Sequence, residues 1–536
     1  MTNFSAAKAV RDDLGFGLRF LAALPRYLRA PRTVAEMRGV VRERFRHRES
    51  LFLARFAEAL NLPESPYARL MAHAGITVHD VAETVSREGI EGTLLQLYRG
   101  GVYLSGEEFK GRRAVIRGSM SFTVDPASLV NPRAVVHGLS HSSGSRGART
   151  PVPIDFAFVR DHAVNTHVAL DAHGGGDWIH AHHGVPGGTS VTNPLEFAHS
   201  GRAPARWFTP IDPLTPGLSP RYKWGVRAMR LVSSTAGLPL PGPTYAPFDN
   251  PIPIVNWMGG VLAAGRVPHL WGFASTAVMI CQAASDAGVN IAGARFTMGG
   301  EPTTAMRRNS VESCGAVALP RMGATETDIL SYACANPVAA DDMHFLDDRH
   351  ALIQPGSDGE GYGLRSDAML LTSLLESAPI RLLNVCMGDR AIVTRRSCGC
   401  GLDRDGWSQH IHDVRSFEKL TAGGITFLDV DVIDILERVL PSHFGGRPAD
   451  YQLVEVLDGE RSLPAVALVI DPSVGALNEI QVADVFLNAI GGGSGGERFM
   501  ELLWRNGHVL SVRREIPTRT VSGKVLHVAS ARFPQQ

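Results

Sequence analysis

The chain has 536 residues, with 53 Lys+Arg balanced by 53 Asp+Glu and 44% hydrophobic residues. That length accommodates two or three domains with sizeable cores. A formal net charge of zero gives no global electrostatic case for nucleic acid or an anionic membrane as partner.

Residues 1–112 are expected to be helical. Val34 to Leu60 is rich in Ala, Arg, Glu and Leu, and Phe52, Phe56 and Leu60 recur at i, i+4 and i+8. Asn61-Leu62-Pro63-Glu64-Ser65-Pro66 breaks that pattern. Arg19 and Arg26 interrupt the N-terminal apolar run, which argues against a secretory signal. The longest apolar stretch, Leu270 to Ala284, falls short of the ~20 residues of a spanning helix. The expectation is a soluble cytoplasmic protein with no membrane span. Its six cysteines then serve as thiols or metal ligands rather than disulfides.

Residues 113–416 alternate short β-branched runs with helical segments, which predicts mixed α/β layers. Val115-Ile116 and Ala391–Val393 lie on the strand side, and Ser275–Ala287 on the helical side. Ala134–His137 reads as a short strand. The loop from His141 to Pro151 follows it, with glycines and hydroxyls whose backbone N–H groups can wrap a phosphate chain. It is not a Walker loop, because no Gly-Lys-Ser/Thr ends it. Pro204 to Pro251 is proline-rich and reads as an irregular, ordered insertion. Gly423-Gly424 marks a flexible point. Beyond it, residues 425–536 read as a small α+β domain: Val432–Leu440 helical, Gln452–Leu457 and Ala465–Ile470 as strands, Gln481–Ile490 helical. Gly491-Gly492-Gly493-Ser494-Gly495-Gly496 reads as a surface loop rather than a phosphate cradle.

Lysine is scarce. Lys8, Lys110, Lys223, Lys419 and Lys524 are the only ones, and arginine carries the remaining positive charge. Lys524 stands in Ile516-Pro517-Thr518-Arg519-Thr520-Val521-Ser522-Gly523-Lys524-Val525. A Ser-Gly turn there would present a compact ammonium that the planar arginine fork cannot replace in a tight site.

Six stretches, in order, resemble the adenylate-forming enzymes (the acyl-CoA synthetase superfamily), and more closely the phenylacetate-CoA ligase branch. Ser142-Ser143-Gly144-Ser145-Arg146-Gly147-Ala148-Arg149-Thr150 is similar to that branch's phosphate loop, usually Ser-Ser-Gly-Thr-Thr-Gly-Lys-Pro-Thr. Gly299-Gly300-Glu301-Pro302 resembles its adenine-bracketing turn. Met322-Gly323-Ala324-Thr325-Glu326 resembles its Tyr-Gly-x-Thr-Glu motif. Leu383 to Asp389 resembles the segment ending in the ribose-binding aspartate. Arg415, nine residues before Gly424, resembles the hinge arginine, and Ser522-Gly523-Lys524 closes the series. The chain departs from the pattern in three places. Ala148 stands in place of lysine, Met322 in place of tyrosine, and Phe417-Glu418 in place of paired aspartates.

The resemblance implies a large adenylation domain (residues 113–416) on which the helical segment 1–112 packs. It also implies a hinge at 417–424 and a small mobile C-terminal domain at 425–536. The implied reaction is attack of a carboxylate on the α-phosphorus of ATP, giving acyl-AMP and pyrophosphate. Both reactants are anionic, so charge must be neutralised before they approach. By resemblance, Ser142, Ser143, Gly144, Ser145, Gly147 and Arg149 contact phosphates, and Gly300, Glu301 and Pro302 bracket the adenine. Asp389 accepts from the ribose hydroxyls with Arg415 assisting. Thr325 bonds the α-phosphate, Glu326 ligates Mg²⁺, and Lys524 bridges carboxylate and α-phosphate.

The expected substrates are a small organic carboxylic acid and a thiol, most directly coenzyme A. A carrier-protein thiol, a protein cysteine or an amine is the alternative acceptor. A degenerate scaffold of the same fold is the alternative to turnover, and a homodimer stays open. Cys334, His344, Cys398 and Cys400 would make a Cys₃His set for structural Zn²⁺. Their spacing is not that of a zinc finger, and buried core thiols are the alternative; relatives in the branch carry a similar arrangement. Cys281, Cys314 and Cys386 read as core thiols. His180, His182 and His183 border an acyl pocket or simply pack.

Overall fold

The computed structural model describes residues 2–62, 64–141, 151–184, 191–212, 215, 220–247, 250–300, 302–356, 364–416, 421–422, 425–426, 432, 435–446, 450–456, 465–491, 501–502, 504–517 and 528–530. The chain opens with helices α1 (Thr2–Leu28), α2 (Val34–Arg46), α3 (Arg48–Leu60), α4 (Pro66–Ala74), α5 (Val78–Arg99) and α6 (Gly106–Phe109). Their starts are written in the sequence. Thr33 with Glu36, Thr77 with Asp80 and Ser105 with Glu108 form reciprocal capping boxes, each satisfying two otherwise unpaired N–H groups. Ser65 caps α4 with Pro66 behind it, so the predicted breaker is also a helix start. Phe52 and Phe56, on the expected face of α3, are buried in the largest core together with Leu370, Leu371, Leu382 and Leu383.

Two hairpins follow. The first joins β1 (Val115–Arg117) to β2 (Met120–Phe122), and the second joins β3 (Gly138–His141) to β4 (Pro151–Ile154). The strand expected at Ala134–His137 therefore begins at Gly138. Residues 134–137 are held as a loop instead: the Val135 N–H donates to Asp155 Oδ2, and the Val136 carbonyl accepts from Arg19 Nε.

The main body alternates α7 (Phe156–Ala172), β5 (Ile179–His183), α8 (Asn193–Ala198), β6 (Arg206–Thr209), α9 (Pro220–Thr235), β7 (Pro243–Tyr245), α10 (Ile252–Ala263), β8 (Pro268–Phe273), α11 (Ala274–Asp286), β9 (Arg295–Gly299) and α12 (Ala305–Glu312). Then come β10 (Val317–Ala324), β11 (Asp328–Ala333), β12 (Met343–Phe345), β13 (His350–Ile353), β14 (Ala368–Ser373), β15 (Val385–Arg395), α13 (Gly401–Asp405) and β16 (Gln409–Ser416). These strands make one twelve-stranded sheet, ordered β13-β14-β15-β16-β12-β11-β10-β9-β8-β5-β6-β7. From β7 to β10 the neighbours run parallel, and from β10 to β13 antiparallel. Strand alternation divides the parallel part between two cores. Leu270 and Ala318 face α10 and α11, while Trp271 and Leu319 join residues of α2 and α7. The proline-rich stretch 204–251 is not irregular: it supplies β6, α9 and β7. Pro220 opens α9 and Pro243 starts β7, positions where a missing N–H is tolerated.

After β16 come β17 (Thr421–Ala422) and β18 (Ile425–Thr426), a π-helical turn at Ile435–Val439, and α14 (Leu440–Phe444). A separate four-stranded sheet follows, ordered β21-β20-β19-β22, from β19 (Tyr451–Val456), β20 (Ala465–Ile470), β21 (Leu510–Arg514) and β22 (Val528–Ser530). Helix α15 (Glu479–Ile490) packs on it through Val482, Phe486 and Ile490. The expected strands and C-terminal helix are present to within two residues. The helix expected over 432–440 is a π turn running into α14. No helix among the described residues is long and apolar enough to cross a membrane.

Candidate functional site

The carboxyl end of β9 makes a glycine corner. A Cβ on Gly299 would lie 2.8 Å from Arg321 Nε, and one on Gly300 would lie 2.8 Å from the Phe273 ring, where the backbone also has φ +74°. Position 300 thus requires glycine, whereas a side chain at 299 would have to displace Arg321. The corner is lined by Arg321, whose guanidinium lies 3.6 Å from the Trp271 ring centre. Pro302 follows it, and Glu301 lies outside the described residues.

Beside it, the hairpin of β10 and β11 carries the Thr-Glu pair. Its ladder shifts register between Met322 and Gly323, and a Cβ at Gly323 would collide with the Asp328 carbonyl oxygen. The motif's glycine is therefore a bulge residue. Thr325, Glu326 and Thr327 form the turn. Glu326 is 4% exposed, and its carboxylate has no ion pair among the described residues. A buried carboxylate of this kind suits a divalent cation. The next residue but one, Asp328, has φ +57° and is tied by His162 Nδ1 at 2.8 Å. Burial alone would raise the Asp328 carboxyl, but His162, Arg349 and Arg321 hold it below the usual range. Behind it, Thr166 Oγ1 lies 2.7 Å from the Tyr332 hydroxyl and 3.2 Å from Glu196 Oε2. Burial, then Asp328, pushes Glu196 well up. The sequence reading did not single out this support; an Asp two residues past the Thr-Glu pair was its one visible sign.

Asp389 and Arg415 come from the paired strands β15 and β16. Asp389 lies opposite Ser416, and Arg390 opposite Arg415. Alternation puts Asp389 and Arg415 on opposite faces. Arg415 instead reaches Asp341, with Nη1 3.3 Å from Oδ2. Asp341, itself buried, also accepts the N–H groups of Asp413 and Val414 at 2.9 and 3.0 Å. The sequence reading missed Asp341.

The phosphate-loop residues Ser142, Ser143, Gly144, Ser145, Gly147 and Arg149, hinge residues Phe417 and Glu418, and Lys524 lie outside the described residues. The described flanks of the loop, His141 and Pro151, are paired across β3 and β4.

The four expected metal ligands do meet. Cys334 directly follows β11, His344 lies on β12, and Cys398 and Cys400 precede α13; their ligand atoms all lie within 4.8 Å of one another. Cys334 Sγ is 3.6 Å from Cys398 Sγ, and His344 Nε2 is 3.5 Å from Cys398 Sγ and 3.1 Å from Cys400 Sγ. A tetrahedron with Zn–S of about 2.3 Å and Zn–N of about 2.0 Å has edges of roughly 3.5–3.8 Å, so the set fits zinc. His344 Nδ1 is 2.6 Å from the Trp407 carbonyl, which leaves Nε2 free to ligate. The Arg396 guanidinium approaches Cys334 Sγ at 3.6 Å and pairs with Asp342, offsetting thiolate charge. Cys281 and Cys386 are buried as expected, and Cys314 is half-buried with Sγ 3.5 Å from the Cys281 carbonyl.

The three histidines of β5 pack. His180 stacks on Phe197 and lies 2.8 Å from His269 through the Nδ1 atoms, while His182 stacks on Trp207. Burial lowers His180 and His182 to about 3 and His183 to about 4, so all are neutral at pH 7.

Among solved structures, the chain is similar to 2-hydroxyisobutyryl-CoA ligase in complex with 2-HIB-AMP and CoA in the thioesterification state. Identity is 13%, 90% of each chain is covered, and the TM-score is 0.50. It is also similar to the same ligase in the postadenylation state with R3-HIB-AMP, at 14% identity over 91% of this chain and 90% of that one, with a TM-score of 0.41. A double mutant of o-succinylbenzoate CoA synthetase from Bacillus subtilis matches at 10% identity over 74% of this chain and 69% of that one, with a TM-score of 0.41. No protein-family model and no curated protein matches the chain. The first likeness, spanning nearly all of both chains, identifies the fold.

Proposed function

Given this adenylate-forming fold, we propose that the chain activates an organic carboxylic acid with ATP and Mg²⁺ and passes the acyl group to a thiol, with coenzyme A as the acceptor. The observation that carries the reading is Glu326: a buried carboxylate without an ion-pair partner among the described residues, on a bulged turn beside the Gly299-Gly300 corner. Glu326 would hold Mg²⁺, which neutralises charge on the ATP phosphates when bound. Thr325 donates its hydroxyl to the α-phosphate. The glycine corner lets the adenine approach the backbone, and Asp389 takes the ribose hydroxyls. Asp341 positions Arg415 on the strand leading to residue 417. Lys524 supplies the ammonium between carboxylate and α-phosphate, and withdrawal of the C-terminal segment admits the thiol.

The 2-hydroxyisobutyryl-CoA ligase was captured with an acyl-AMP and CoA together, which favours coenzyme A over a carrier protein. Cys334, His344, Cys398 and Cys400 would hold a structural Zn²⁺ that fastens β11, β12 and the segment leading into β16. Acid-dependent exchange of labelled pyrophosphate into ATP tests the reading. Exchange in the parent, lost by at least ~10²-fold in Glu326→Gln, is expected. A folded parent that binds ATP yet shows no exchange with any acid would oppose it.

A further inference from the structure

A small cavity lies between α3 and the β14 side of the sheet, and none of the nucleotide or metal ligands assigned above lines it. Arg55 and Phe56 of α3, Thr372 and Ser373 of β14, and Arg381 line it. It leaves about 10 Å³ for the centre of a water-sized species, enough for one small ion or water.

Two guanidiniums face this space. Arg381 is 1% exposed, and the Arg55 side chain is 10% exposed. Glu58 ties them together, with Oε1 2.8 Å from Arg55 Nη2 and Oε2 3.0 Å from Arg381 Nη2. Arg133 Nη1 lies 3.0 Å from both Glu58 Oε1 and Glu376 Oε1. Three guanidiniums thus meet two carboxylates, which leaves one positive charge uncompensated. Donors are in excess too. Arg381 gives Nη1 to the Leu375 carbonyl and Nη2 to the Glu376 carbonyl. Its Nε, and Nε and Nη1 of Arg55, are buried without a hydrogen-bond partner among the described residues, three donors against one such acceptor in the cluster, Glu58 Oε2. Thr372 Oγ1 accepts from the Asn384 N–H, so its own O–H remains to donate. Burial pulls Arg381 down to about 10, with Glu58 opposing and Arg55 and Arg133 adding to the fall.

We propose that this cavity binds a single monovalent anion of chloride size, held by Arg55, Arg381 and Thr372. A net positive, donor-rich, low-dielectric space favours an anion over water, whose two hydrogens need acceptors. The anion fastens the N-terminal helical segment to the sheet, because its partners come from α3, from β14 and from the segment after it.

Two measurements on the full chain test this. Thermal unfolding in sodium chloride is compared with sodium gluconate, an anion too large for the space, at matched ionic strength. Crystals soaked in bromide are examined for anomalous scattering. Chloride is expected to raise Tm saturably by about 1–2 °C over gluconate. Arg55→Gln is expected to remove that rise, and a bromine peak to lie within hydrogen-bond distance of Arg55 and Arg381. Equal Tm in both salts, or a rise unchanged in Arg55→Gln, overturns the proposal. So does a cavity holding only water. A bromide peak without the saturable rise marks an adventitious ion only and overturns it as well. If Arg55→Gln does not fold, the parent's chloride titration and bromide peak decide together.

Discussion

Asp341 and Arg415 are joined across β16, with Arg415 Nη1 3.3 Å from Asp341 Oδ2, while the same carboxylate accepts two consecutive backbone N–H groups, those of Asp413 and Val414. One buried carboxylate therefore fixes both the strand entering residue 417 and the cation on it. Asp341→Asn, which offers one acceptor oxygen instead of two, is expected to cost about 1–3 kcal/mol of stability. It should also raise KM for ATP several-fold while kcat falls less. Denaturant unfolding and steady-state kinetics check this; an unchanged KM would separate Arg415 from the nucleotide.

Glu326 offers a cleaner substitution because it has no ion pair among the described residues to lose. Glu326→Gln should leave Tm within about 2 °C of the parent and cut adenylation by roughly 10²–10³-fold, with weaker dependence on Mg²⁺. Isothermal titration of Mg²⁺ with ATP and the rate in the same preparation give both numbers. A retained rate would remove Glu326 from the chemistry.

How much of this was legible in the sequence varied with how local the signal is. The Phe52–Phe56 face and the break at Asn61–Pro66 depend on neighbours in the chain and were read directly, whereas the glycine corner and the Thr-Glu pair were reached by resemblance. The Cys₃His set was suggested by resemblance, yet only the sheet explains it: β11 and β12 are adjacent, and the β15–α13 segment returns beside them. Asp341 and the His162–Asp328 pair were not legible, because their partners lie 74 and 166 positions away. The prolines between 204 and 251 misled by composition. Pro220 and Pro243 stand at element starts, which composition does not reveal.

The Cys₃His geometry predicts about one zinc per chain after purification without chelator. Cys400→Ser should lower that occupancy and reduce Tm by several degrees. Metal analysis and calorimetry check both; zinc well below half-stoichiometric in the parent, with an unchanged Tm in the variant, would leave the cysteines as core thiols.

Asp347 supplies a pH-dependent prediction. It is 4% exposed, and burial raises its carboxyl to about 7, with Arg48 opposing. A folded-state pKa above the unfolded value means stability is full below about pH 4 and is lost as pH rises through about 7. Asp347→Asn cannot ionise, so it should be more stable than the parent at pH 8 by roughly 2–4 kcal/mol, with the gap closing towards pH 5. Denaturant midpoints at the two pH values measure it. A gap that widens on acidification would reverse the sign.

Lys524→Ala should abolish formation of acyl-AMP while sparing thioester formation from synthetic acyl-AMP, because in the proposed reaction the ammonium serves the first half-reaction alone. Separate assays of the two half-reactions check it, and equal loss in both would contradict the division of labour between adenylation and transfer.

The central claim is acid activation, and magnesium-dependent pyrophosphate release from ATP, with hydroxylamine as acyl trap, measures it most directly. Across aryl, arylacetyl, short hydroxy and fatty acids, at least one acid should drive release and yield a hydroxamate, both lost in Lys524→Ala. Silence across the panel from folded protein that binds ATP would contradict the account.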